Sequence, residues 1–161
     1  MSGSFNQYSQ DDDFWKVYLK GRPVIPNGFF DLIYDYHKSN GGAFDTVHDS
    51  GAGAGVQSVQ LSKKFRHVLL SDPSEENLSA ARRKLGSSDQ YSFRLAKLEN
   101  VDDIESGSID MIHCGTMLHW TNIAQALEAV AHQLKPAGTF AAYFCGAVSY
   151  THLTLPTKRI V

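Results

Sequence analysis

Asp49 stands directly in front of three alternating glycines in HDSGAGAGVQS (48–58). Glycine has no Cβ, so such a turn lets backbone N–H groups come close to a ligand. Its position behind a short apolar run suits a nucleotide-like molecule. A dinucleotide fingerprint needs G-x-G-x-x-G, whose third small residue lets the following helix pack on its strand. Counted from Gly51 that place holds Val56, and counted from Gly53 it holds Ser58; a Walker lysine is also absent. Asp49 narrows the ligand further. A carboxylate at the mouth of the turn repels a pyrophosphate, which binds to bare N–H groups at a helix N-terminus. It attracts a ligand bearing an ammonium and a sulfonium.

S-Adenosylmethionine has both groups and no phosphate. A second acid, Asp72, closes the apolar run HVLLSD, 21 positions beyond Gly51. That spacing suits a carboxylate bonding ribose hydroxyls. Each acid has a plainer alternative. Asp49 could be a solvated loop carboxylate, and Asp72 could cap the helix that follows, although Ser74 is available for that role.

The elements that must position these groups alternate along the chain. Strands are expected at 44–50, 67–72, 91–96, 108–114 and 139–145. Helices are expected at 54–64, at 74–85 (opened by Ser74, with acids in its first turn) and at 121–134 (stopped by Pro136). This order implies an α/β fold, a doubly wound, mainly parallel Rossmann-like sheet with sites at the carboxyl ends of its strands. In front of it, residues 1–11 read as a disordered arm and 12–43 as a helical lid. Phe14, Trp15, Tyr18 and Leu19 give a first short helix. Gly21, Pro23 and Pro26 break it, and Asn27 caps a second helix that ends at the SNGG of 39–42.

With 161 residues the chain reads as one domain. A net charge of −2 supplies no basic face for nucleic acid or anionic membrane. Cys114 and Cys145 lie in apolar runs outside any CxxC pair and read as buried free thiols. The polar, acidic start resembles neither a secretory nor a mitochondrial leader, and residues 139–148 make about half a bilayer span. A cytoplasmic protein with no membrane or nucleic-acid partner is expected. Oligomeric state stays open.

Four segments in order carry a family resemblance: DSGAGAG (49–55), the acid of LLSDPS (69–74), AKLEN (96–100) and LKPAGTF (134–140). Over roughly 44–146 the chain resembles the class I S-adenosylmethionine-dependent methyltransferases. FWKVYLKGRPVIP (14–26) and CGTMLHW (114–120) look like the fungal branch related to trans-aconitate methyltransferases, the methyltransferase type 11 group. Ile25 replaces the second tyrosine of that branch's W-x-x-Y…R-P-x-Y-P segment, and Ala137 replaces the first glycine of its LKPGG turn.

The resemblance implies S-adenosylmethionine as cofactor and a small-molecule methyl acceptor, a carboxylate among the candidates. It assigns Asp49, Ser50, Gly51, Ala52, Gly53 and Gly55 to the methionine end, Asp72 and Pro73 to the ribose, and Leu98 and Glu99 to the adenine. Cys114, Gly115, His119 and Trp120 would face the methyl group and acceptor, with Tyr18, Arg22 and Pro23 as lid. If the acceptor is a hydroxyl or amine, His119 is the candidate base. His113, Cys114 and His119 are not expected to bind a metal, since His113 alternates to the other strand face from Cys114. The tail, 149–161, resembles adaptor read-through. Residues 44–148 are thus expected to be a truncated cofactor domain without the family's last strand pair, poorly soluble or inactive. A non-catalytic cofactor-binding or interaction domain is the alternative, followed by a nucleotide-dependent oxidoreductase.

Overall fold

The computed structural model describes residues 25–145. The expected arm, the helix over 12–19 with Tyr18, Arg22 and Pro23, and the tail lie outside the described residues. Helix α1 (Asn27–Ser39) places Phe30, Tyr34 and His37 on one buried face, the i, i+4, i+7 spacing of an amphipathic helix. Pro26 holds the cap position, so Asn27 is the first helical residue rather than the expected cap. The fixed φ of proline suits that entry. Gly41, at φ 84°, follows its last turn.

Five strands follow: β1 (Thr46–Ser50), β2 (His67–Asp72), β3 (Tyr91–Leu95), β4 (Ile109–Gly115) and β5 (Leu134–Tyr143). All pair in parallel in the order β3-β2-β1-β4-β5, the α/β Rossmann-like architecture expected. Helices α2 (Ser58–Leu61), α3 (Glu75–Leu85) and α4 (Ile123–Gln133) connect them. On one sheet face Val47, Val68, Leu70 and Met111 pack with Phe30, Tyr34, Leu61, Phe65 and Ala81. On the other, Ile112 and Cys114 pack with Leu98, Ile104, Ala126 and Val130.

Two elements differ from the sequence expectation. The helix expected over 54–64 is the single turn α2, because Gly53 (φ 54°) and Gly55 (φ 70°) take left-handed angles that a right-handed helix excludes. β5 starts at Leu134 instead of 139. Pro136 disfavours helical geometry in the residue before it, and Leu134 is already extended at ψ 134°. The ladder then jumps. Ile109 pairs with Leu134 but Met111 with Thr139, so KPAG bulges out of the strand with Ala137 at φ 66°.

Candidate functional site

At the carboxyl ends of β1 and β2 the three glycines of the turn have three different tasks. Gly51, at φ 65°, lies under the β4 loop, and a Cβ there would stand 2.7 Å from Met117. The Gly53 N–H donates to Asp72 Oδ2 at 2.9 Å. Gly55 admits α3, for a Cβ would meet Leu85 at 3.0 Å and Ala81 at 3.2 Å. Ala52 N–H donates to the Ser71 carbonyl, which fixes the turn against β2.

Asp49 is only 2% exposed, deeper than the mouth position its sequence suggests. Its Oδ2 accepts from Ser58 Oγ at 2.5 Å and its Oδ1 from His113 Nδ1 at 2.8 Å. His113 Nε2 lies 3.1 Å from the Tyr143 hydroxyl. Ser58, His113 and Tyr143 escaped sequence reasoning. The alternation that sets His113 apart from Cys114 was legible; the parallel register that brings it beside Asp49 was not. The one usable signal was that both residues sit near the ends of strands expected to be adjacent in the sheet.

Asp72 closes the other side of the turn. Its Oδ1 accepts from Ser74 N–H and Asn77 Nδ2, each at 3.0 Å. Burial pushes its pKa up, opposed by these bonds and the one from Gly53. Ser74 supplies the helix cap, accepting from Asn77 N–H. Pro73 is half-buried beside it, and Ser50 is buried with its hydroxyl 3.4 Å from Ser71.

Leu98 and Cys114 are wholly buried in the core beneath α4, where their side chains contact other apolar groups. Burial pushes the Cys114 thiol pKa up. Glu99 Oε1 accepts from Asn122 N–H at 3.0 Å, while its Oε2 is buried with no partner among the described residues. His119 and Trp120 are exposed on a short 3₁₀ turn, Leu118–Trp120. The His119 ring contacts Trp120 and Phe144. Just before that turn Thr116 holds φ 59°, pinned by its N–H to the Tyr143 carbonyl and its hydroxyl to Cys145 N–H. A β-branched residue at such an angle is strained, as functional loops often are.

A family model described as a methyltransferase domain matches residues 48–142. Methyltransferase gedG of Aspergillus terreus is 47% identical over 135 residues, covering 83% of this chain and 42% of that protein. The chain spans about half the length of the curated relatives it matches. Among solved structures, one from Anaeromyxobacter dehalogenans, grouped with the type II methyltransferases, superposes with a TM-score of 0.65 at 22% identity, covering 78% of this chain and 50% of that one. The trans-methyltransferase CalH, solved with SAH, superposes at 0.54 and 21% identity, covering 66% and 33%.

Proposed function

The chain belongs to the methyltransferase-domain family, the class I S-adenosylmethionine-dependent methyltransferases, and we propose that it supplies the cofactor half of a small-molecule methyltransferase. The observation that carries this reading is the glycine turn held between two buried acids, with Asp49 before it and Gly53 N–H bonded to Asp72 after it. The fit to the cofactor rests on three features. Asp49 is a carboxylate with two of its roughly four lone-pair positions engaged by Ser58 and His113. Gly51, Gly53 and Gly55 all hold left-handed φ angles, which turn the backbone sharply at the carboxyl end of β1. Glu99 keeps a buried acceptor with no partner among the described residues, which suits an exocyclic amine.

Asp49 would hold the ammonium group, with the backbone of Ser50, Gly51, Ala52 and Gly53 beside it. Asp72 and Pro73 would hold the ribose, and Glu99 the adenine edge. When bound, the sulfonium cofactor supplies a methyl group activated for in-line displacement. The protein's share is to align the acceptor and exclude water. A carboxylate acceptor is already nucleophilic and needs no base. Arg22, outside the described residues, is the anion partner the sequence offers. For a hydroxyl or amine acceptor, exposed His119 is the candidate base. The absence of a basic charge balance argues against nucleic acid as substrate. We place the protein in the cytoplasm, a reading supported by two free cysteines; no helix among the described residues is long and apolar enough to cross a membrane.

Calorimetry with S-adenosylhomocysteine and with NAD tests the cofactor. Binding of the first alone is expected, and the reverse pattern would restore the oxidoreductase reading. Asp49→Ala and Asp72→Ala should each weaken that binding at least tenfold, on the order of one or two lost charge-assisted hydrogen bonds. Labelled methyl transfer to a panel of carboxylic acids tests the chemistry. Cofactor binding with no transfer to any acceptor would favour a non-catalytic binding domain.

A further inference from the structure

We infer that His113 is a positioning residue for the transfer: its Nδ1–H sets the Asp49 carboxylate to meet the cofactor's ammonium group, and Tyr143, bonded at Nε2, holds the imidazole ring in the orientation that allows it. This rests on the proposed function above. Asp49 pairs in register with His113, and His113 with Ala141. Side chains alternate along a strand, so Tyr143 rises on the same face as His113. An ionised carboxylate only accepts hydrogen bonds, so His113 Nδ1 carries the proton. In the tautomer with its one proton there, Nε2 accepts from the Tyr143 hydroxyl. The chain of donors runs one way, from Tyr143 through His113 to Asp49, and Ser58 fixes the second carboxylate oxygen.

Packing immobilises the same row. Phe30 stacks on the His113 ring at 6.1 Å between centroids, and Phe29 meets Tyr143 edge-on at 4.7 Å. His113 is 1% exposed, so neither its rotamer nor that of Asp49 has room to drift. A carboxylate held at both oxygens meets a cation without first having to be ordered.

The test compares two ligands by calorimetry. S-Adenosylhomocysteine carries the ammonium group; 5′-methylthioadenosine shares the thioadenosine part and lacks the amino-acid arm. His113→Phe keeps a flat ring against Phe30 without a donor, whereas His113→Asn keeps a donor close to the Nδ1 position. Expected for His113→Phe is a loss of about tenfold or more for S-adenosylhomocysteine and about twofold or less for 5′-methylthioadenosine. His113→Asn should recover most of the loss, and Tyr143→Phe should show a smaller, equally selective one. Equal losses for the two ligands, or unchanged affinity for both, would overturn the positioning role. If His113→Phe does not fold, Tyr143→Phe decides by the same criterion. Wild-type protein that binds neither ligand would overturn the functional reading as well; wild-type binding with unselective variants overturns this inference alone.

Discussion

Ala137 and Thr116 hold φ angles of 66° and 59°, a region that costs an L-residue roughly 1–2 kcal/mol. Ala137 is where the resemblance leads one to look for a glycine. Ala137→Gly should therefore raise stability by about 0.5–1 kcal/mol, since relieving the left-handed strain outweighs the added freedom of the unfolded chain. A shift of the urea midpoint at unchanged slope would record it; no shift would mean the bulge relaxes the strain elsewhere. Gly51→Ala should do the opposite. Its Cβ would fall 2.7 Å from Met117 at a φ of 65°, so a loss of about 1–3 kcal/mol is expected, together with weaker S-adenosylhomocysteine binding. The sequence singles out Asp49, Asp72 and the glycines by residue type and spacing. It does not reveal that Leu98 and Cys114 face the core, because a residue at a strand end or in a loop has two sides and spacing does not choose between them.

Elements are tied by buried polar pairs that hydrophobic patterning cannot forecast. His48 of β1 meets Gln133 of α4 at 2.6 Å and Ser71 of β2 at 2.7 Å. Burial lowers its pKa to about 4, with the nearby Arg94 charge adding to the effect and the Gln133 bond opposing it. The imidazole is thus neutral in the fold, while in the unfolded chain it protonates near its ordinary value. The stabilisation is complete above pH about 6.5 and is lost as the pH falls through about 4, in total about 3 kcal/mol. Urea midpoints measured across that window should fall more steeply for the wild type than for His48→Gln; parallel curves would contradict the assignment. At the start of α3, Ser74 accepts from Asn77 N–H, and Ser74→Ala should cost about 1 kcal/mol. That cap was readable from Ser74 followed by two glutamates. The shortening of α2 was not, since it depends on glycine torsions that the helical pattern of 54–64 conceals.

Among the described residues the sheet has β3 and β5 as its edges, and each edge strand ends in an exposed apolar side chain, Leu95 at 57% and Phe144, just beyond β5, at 72%. Exposed edges invite pairing between chains, and a lysine discourages it. Phe144→Lys should therefore reduce light scattering on concentration; unchanged scattering would place the association elsewhere. The alternation of strands and helices was enough to foretell five parallel strands. The bulge in β5 was hidden because register is a property of two strands together. The docking of α1 also bears on the order of events in folding. His37 bonds Thr139 at 2.7 Å across 102 positions of chain, and Phe29 reaches Tyr143 over a longer interval still. At about 5–20 residues per second of synthesis, α1 waits on the order of 5–20 s before those partners have been made. The clasp over Asp49 and His113 is thus among the last parts of the fold to close. A ribosome-bound chain stalled before residue 139 should leave α1 open to protease while β1 and β2 are already protected.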